Sequence, residues 1–244
     1  MGPAYQNIVS FVRKLLWAFK WRDANHSYSQ SGEDLLIDFV VNALGISEVT
    51  YLDIGAYHPS HFSNTFLFYQ RGSRGVLVEP DPELFEVIRT ARPRDICINA
   101  GIGTDEATGA TFYVMSTRTL NTFSEKEAKR YEEMERQRIE ATLQIPMIRL
   151  NDVIEQKFGG QCPTFISIDI EGFDYEVLAT LDLARFRPPI ICVETLTYSE
   201  SREGIKDTRA KMLLTVNGYF EYADTYINSI FVDEARWRAS APPA

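Results

Sequence analysis

The sequence has no apolar run long enough to cross a bilayer, which excludes a transmembrane helix. Cysteine is scarce, and Cys97, Cys162 and Cys192 show no metal-ligand spacing. Two of them lie inside apolar runs ("DICIN", "IICVE"), where a thiol is most simply a small buried hydrophobe. An odd count without a framework argues against a disulfide scaffold and suits a reducing, cytoplasmic compartment. Positive charge is in deficit: a formal net charge of −9 argues against a sequence-independent grip on nucleic acid. There is no internal repeat and no low-complexity linker. One further absence is local. In "YLDIGAYHPSHFSNTF" (51–66) a strand-like run reaches Asp53 and then Gly55, but the second and third glycines of a dinucleotide phosphate loop are missing. Pro59, flanked by His58 and His61, stands in their place.

What is present is a globular chain of 244 residues, enough for one large domain with an ample apolar core. Short runs rich in branched residues read as buried strands: "VTYLDIGA" (49–56), "RGVLVEP" (74–80), "DICINAGI" (95–102), "TFISIDI" (164–170) and "PPIICVET" (188–195). The segments "DPELFEVIRTA" and "EGFDYEVLATL" after the second and fourth runs show helical spacing, the first with a proline in its first turn. Such alternation predicts a Rossmann-like, doubly wound α/β fold with a mostly parallel sheet and an α/β/α layering. "GATFYVMS" and "QIPMIRLNDVI" read as strands flanking a polar helix, "SEKEAKRYEEMERQRIEATL", taken as a solvated excursion or lid near 124–142. "GYFEYADTY" and "NSIFVDE" read as an antiparallel hairpin closing one edge. Ahead of the domain (28–240), residues 1–27 hold a basic amphipathic stretch, "IVSFVRKLLWAFKWR". It is expected to pack on the domain or a second subunit, with peripheral contact at an inner membrane surface as the alternative. It lacks the uninterrupted core and cleavage site of a signal peptide.

In open α/β sheets, ligands bind beyond the carboxyl ends of the strands. Those ends carry Asp53, Glu79, Asn99, Asp169 and Glu194, an acidic rim. A carboxylate facing a pyrophosphate would repel it, whereas the same rim welcomes a cation. S-adenosyl-L-methionine, with an ammonium, a sulfonium and no phosphate, fits this rim. Asp53 would fix its amino-acid end directly or through water, with Gly55 allowing close backbone approach. Glu79 would accept from the ribose hydroxyls, and Asn99 would address the adenine edge. Asp53 could instead simply cap a turn.

Four blocks, "YSQSGEDLLI" (28–37), "YLDIGAYHPSHFSNTFLFYQRGSRGVLVEPDPEL" (51–84), "INAGIG" (98–103) and "FISIDIEGFDYEVL" (165–178), resemble the FkbM family of class I S-adenosylmethionine-dependent methyltransferases. The resemblance implies a sheet of about seven strands and methyl transfer, usually to a hydroxyl of a saccharide, glycan or glycolipid, or natural product. By it, Asp53, Gly55 and Ala56 become methionine-side contacts, Glu79 the ribose contact, and Asn99 and Ala100 neighbours of the adenine. Ser63 and Asn64, with Gln30 and Glu33, would approach the cofactor or close the site. Many methyltransferases have a further glycine where Pro59 stands, a departure from that pattern in this chain.

An alcohol acceptor needs a general base or a metal that lowers its pKa. Asp169 and Glu171, in "IDIEGFDYE", are the candidate bases, with His58 as a rival. Asp169 with Glu194, joined by Glu171, could hold a divalent cation such as Mg²⁺. Glu171 could equally just open the next helix. Arg118 is a candidate contact for an anionic acceptor. Two other readings stand beside this one: a nicotinamide-dependent oxidoreductase on the same sheet, and a non-catalytic module that recruits a membrane or partner; the chain itself is a candidate homo-oligomer.

Overall fold

The computed structural model describes residues 26–104, 108–133, 137–196 and 204–241. The basic amphipathic stretch before residue 26 lies outside the described residues. The chain runs α1 (Glu33–Ala43), β1 (Thr50–Ile54), α2 (Phe66–Gln70), β2 (Arg74–Val78), α3 (Pro82–Ala91), β3 (Ile96–Ile98), β4 (Gly101–Gly103) and β5 (Gly109–Met115). After a 3₁₀ turn at Arg118–Leu120 come α4 (Glu125–Glu133), β6 (Ile139–Arg149), α5 (Leu150–Lys157), β7 (Phe165–Ile168), α6 (Asp174–Leu178) and β8 (Ile190–Glu194). The described chain ends with α7 (Arg209–Val216), β9 (Tyr219–Asp224), β10 (Asn228–Asp233) and α8 (Glu234–Ala239).

Seven strands form the main sheet in the order β3-β2-β1-β7-β8-β10-β9. The first five are mutually parallel, and β10 runs antiparallel to both of its neighbours. The closing hairpin is therefore threaded so that its second strand, not its first, joins β8.

Alternation along the strands sends side chains to two separate cores. Leu52, Ile54, Val76, Val78, Ile166 and Ile168 face the helices α5, α6 and α7. Tyr51, Leu77, Phe165, Ile190 and Cys192 face α1, α2 and α3. This parity places Asp53 on the side of α1 to α3, because it shares a face with Tyr51.

Several sequence expectations change here. Residues 95–102 are not one strand. Asn99 donates from Nδ2 to the carbonyls of Glu79 (2.9 Å) and Pro80 (3.0 Å), pinning the chain at the end of β2. Beyond it β4 leaves the main sheet and pairs with β6 in a three-stranded sheet ordered β4-β6-β5. The predicted strand "QIPMIRLNDVI" ends at Arg149, because Leu150, Val153 and Ile154 recur at helical spacing and enter the core as α5. Among the described residues the polar helix covers Glu125–Glu133. Its last predicted residues belong to β6, whose alternating burial is that of a half-exposed strand. Ala128 and Tyr131 give α4 a buried side against Met115 and Leu120. The helix expected over "EGFDYEVLATL" is only five residues long.

Candidate active site

A cavity of about 460 Å³ opens beyond the carboxyl ends of β1, β2, β7 and β8. Glu79, Asp169, Glu171 and Glu194 line it, together with Gly55 and Gln30. A neighbouring cavity of about 220 Å³ shares Gly55, Pro80, Phe123 and Ile170 with it and is walled by apolar groups, among them Ala100, Ile102, Met147 and Val177. A third, polar cavity of about 140 Å³ touches Glu171 and Glu194 from their other side.

Gly55 has a left-handed backbone (φ 82°), and a Cβ there would lie 1.8 Å from the carbonyl oxygen of Asp169. The space a side chain would need is thus taken by the β7 backbone, which requires glycine whatever the cavity holds. Close ligand approach, the expectation from the sequence, is therefore not needed to account for this glycine. Gly55 also accepts its place from β2, its N–H donating to the Val78 carbonyl at 3.0 Å.

Glu79 follows β2 directly. Its Oε2 accepts from the Tyr57 N–H at 2.8 Å and its Oε1 from the Asp81 N–H at 2.9 Å. Burial nevertheless pushes its pKa up to about 7, because these two bonds only partly offset desolvation. Each oxygen has a further lone pair beyond these bonds, and Glu79 lines the cavity.

Asp53 does not line either cavity. Its Oδ2 accepts from the Thr65 hydroxyl at 2.6 Å. Thr65 in turn accepts from Arg92 Nη1 at 2.9 Å. A guanidinium can only donate, so the Thr65 hydroxyl proton is committed to Asp53. Arg92 is wholly buried and paired with the equally buried Asp95 at 2.8 Å. Its other bonds run to the Tyr51 hydroxyl (3.0 Å), the Pro59 carbonyl (3.4 Å) and Ser63 Oγ (3.4 Å). The loop that carries no phosphate-binding glycines is therefore clamped from beneath by one arginine. Sequence reasoning missed Arg92, Asp95 and Thr65, and a charged pair with no helical or strand motif left no signal to find them.

The other expected cofactor residues have structural partners. Ser63 Oγ accepts from the Phe66 N–H (3.2 Å), and Asn64 donates to Ser167 Oγ (3.0 Å) on β7. Ala56 is buried in the core on the α1 side. Glu33 joins α1 to the β9–β10 turn, accepting from Thr225 Oγ1 (2.6 Å) and Asn228 Nδ2 (3.1 Å). Burial alone would raise its pKa, but these bonds and one from the Ser31 N–H hold it below the usual value. Asn99 commits its Nδ2 to the backbone carbonyls of Glu79 and Pro80, as described above. His58 caps its own turn: Nδ1 accepts from the N–H groups of Ser60 (3.2 Å) and His61 (2.9 Å). That commits the nitrogen a base would need, and burial lowers the imidazole's pKa further. Arg118 lines the cavity but is engaged by Asp81 (3.2 Å), Glu83 (3.2 Å) and Glu140 (3.8 Å) rather than left for an anionic ligand.

Asp169, Glu171 and Glu194 each present a carboxylate oxygen within 4.8 Å of one another. Three acids so close cannot all ionise cheaply. Burial, and then the charges of Asp174, Asp53 and Glu33, push Asp169 up to about 7. Glu194 is driven well above the usual range by burial and then by the charges of Asp169 and Glu171, and it shares a hydrogen bond with Asp169. Glu171 is raised for the same reasons, burial first, although Tyr131 donates to it at 3.3 Å. Its backbone is left-handed (φ 53°) and its carbonyl accepts from Thr122 Oγ1 at 3.0 Å. Asp174 accepts from the N–H groups of Ile170 (2.9 Å) and Gly172 (3.1 Å), so it closes the turn that presents both acids.

Residues 53–221 match the Methyltransferase FkbM domain. The chain belongs to the FkbM methyltransferase family. An FkbM domain makes it an S-adenosylmethionine-dependent methyltransferase, and the sheet order and the acidic strand ends agree with that membership. The comparison with curated proteins finds no match. Among solved structures, similar ones include a TehB-like SAM-dependent methyltransferase from Corynebacterium glutamicum (11% identity, 95% of this chain and 100% of that one, TM-score 0.41). Others are a putative caffeoyl-CoA O-methyltransferase from Staphylococcus aureus (10%, 94% and 98%, 0.46) and the amino pentose methyltransferase CalS10 from Micromonospora echinaspora (10%, 89% and 96%, 0.42). The family match over most of the sheet is what assigns this FkbM methyltransferase. No helix among its described residues is long and apolar enough to cross a membrane.

Proposed function

We propose that this FkbM methyltransferase transfers the methyl group to a hydroxyl of a saccharide, glycan or glycolipid, or natural-product acceptor. The observation that supports it is the set of carboxylates at the ends of β7 and β8, in the same cavity as Gly55 and Glu79. Bound S-adenosylmethionine supplies a methyl group already activated by the sulfonium. The residues present fit that group: the apolar cavity beside Ala100 suits a flat aromatic base, and Glu79 has the free lone pairs for a ribose diol. The acidic rim offers no cradle for a pyrophosphate, which weighs against the nicotinamide reading. Asp53 contributes by anchoring the loop through Thr65, with any reach to the ligand going through water.

Asp169 acts as the general base, since it follows β7 directly and lines the same cavity as Gly55 and Glu79. Asp169 would accept the proton of the acceptor hydroxyl as the oxygen–carbon bond forms and the methyl carbon–sulfur bond breaks, its electron pair staying on sulfur. Glu194 and Glu171 hold Asp169 in place and set its basicity. Alignment of nucleophile and methyl in the cavity is the remaining contribution.

A second reading uses the same three acids as ligands for a hard divalent cation such as Mg²⁺, which their 4.8 Å grouping favours. A cation would relieve their mutual repulsion and lower the hydroxyl pKa. Calorimetric titration with S-adenosylmethionine and with a nicotinamide dinucleotide tests the cofactor. The former should bind and weaken by about tenfold or more in Glu79→Ala, the worth of a hydrogen bond to a charged group. Unchanged affinity in that variant would sink the assignment. A chelator that abolishes activity, with recovery on adding Mg²⁺, supports the metal; full activity in chelator leaves the base alone.

A further inference from the structure

Among the described residues, four that are not glycine have left-handed backbones: Tyr57 (φ 52°), Phe62 (φ 55°), Glu171 (φ 53°) and Tyr226 (φ 77°). All four line the 460 Å³ cavity. They come from three separate parts of the chain: the β1–α2 loop, the turn after β7 and the β9–β10 hairpin. Left-handed backbone is strained for bulky side chains, and it persists where surrounding structure enforces it. That enforcement is visible. Tyr57 is held by its N–H bond to Glu79, and Glu171 by the turn that Asp174 closes. The hairpin turn of Tyr226 is tied to Glu33 on α1 through Thr225 and Asn228. His61 stacks on Phe62 at 3.9 Å, and the turn bearing His61 is capped by His58.

Three of the four are aromatic, and Phe62 and Tyr226 remain 43% and 54% exposed at the mouth. Rings fixed there, instead of being folded into the nearby core, present flat apolar faces to whatever enters. Deeper in the same cavity are Asp169, Glu171 and Glu194, and the guanidinium of Arg118 is already engaged by acids. An anion placed among those carboxylates would be repelled in a poorly solvated setting, whereas hydroxyls would donate to them.

We propose that Tyr57, Phe62 and Tyr226 form the acceptor rim, and that the acceptor is an uncharged polyhydroxylated ring, a glycoside without phosphate or carboxylate. One apolar C–H face of that ring stacks on the rim while a hydroxyl points to Asp169. The inference rests on the methyl-transfer reading above, because the cofactor is what fills the inner part of the cavity. It deepens that reading by excluding sugar phosphates and nucleotide sugars as acceptors.

The test uses the full chain saturated with S-adenosylhomocysteine and titrated with methyl hexopyranosides and their 6-phosphates, read by saturation-transfer NMR. At least one neutral glycoside should bind, with its 6-phosphate at least tenfold weaker. Phe62→Ala with Tyr226→Ala should weaken the glycoside at least tenfold and leave S-adenosylhomocysteine affinity within about twofold; either single variant serves if the double variant does not fold. Equal or tighter binding of the phosphate, an unaffected rim variant, or no neutral glycoside binding at all overturns the proposal. Failure of S-adenosylhomocysteine itself to bind strikes the cofactor reading instead, and the glycoside titration repeated without it then decides the rim alone.

Discussion

Replacing Thr65 by valine removes one hydroxyl and little volume, from a side chain that is wholly buried. The hydroxyl donates to Asp53 at 2.6 Å and accepts from Arg92 at 2.9 Å, so both ends of a directed chain are cut at once. A hydrogen bond to a charged group contributes about 1.5–3 kcal/mol, and a buried donor left partly unpaired costs about 1 kcal/mol more. Arg92 keeps weaker bonds to Pro59 and Ser63 at 3.4 Å, which limits the second loss. The expected destabilisation is therefore about 2–4 kcal/mol. For a domain of this size that lowers the Tm by about 5–15 °C. Loosening the loop at Tyr57 and Pro59 should also weaken S-adenosylhomocysteine by about tenfold, and Thr65→Ser, which restores the hydroxyl, should recover most of both. Differential scanning calorimetry and isothermal titration give the two readouts. A Thr65→Val protein with a Tm within about 1 °C of wild type and unchanged affinity would refute the clamp.

The remaining expectations follow from the acids and from Gly55. Asp169→Asn should lower kcat by about 10²–10⁴-fold, the usual worth of a general base, with cofactor affinity little changed; retention of wild-type kcat would remove Asp169 from the chemistry. The pH dependence has opposite signs for activity and stability. Asp169 has a folded pKa of about 7, above its ordinary value of 3.8, so the native state binds the extra proton and its stabilising effect is complete below about pH 4. Stability should fall as pH rises through 7 while kcat/KM rises over the same interval; a Tm that climbs across that range would contradict the arrangement. Gly55→Ala forces a Cβ onto the Asp169 carbonyl and should cost about 2–4 kcal/mol, measured by denaturant titration, since both strain and overpacking apply. A near-neutral Gly55→Ala would show that β1 and β7 can part at their ends.

The order of strands and helices, the parallel sheet and the acidic strand ends were all determined by the sequence. Each depends on local spacing: branched runs, a capped helix at Asp81-Pro82, and carboxylates just past the last strand residue. The same local signals point to Glu79, Asp169, Glu171 and Glu194, which line one cavity. They failed where a long-range partner decides. Asn99 ends one sheet by bonding back to β2, and β4 then joins another, a choice made by residues twenty and forty-six positions distant. Asp53 looked like a ligand contact because its place along the chain is right, yet strand parity turns it toward Thr65 and the buried Arg92. The rim of Tyr57, Phe62 and Tyr226 has no motif at all, since two segments far apart in the chain, the β1–α2 loop and the β9–β10 hairpin, supply it. Periodicity is written residue by residue and survives in the sequence, whereas convergence of distant side chains exists only after the backbone has closed around them.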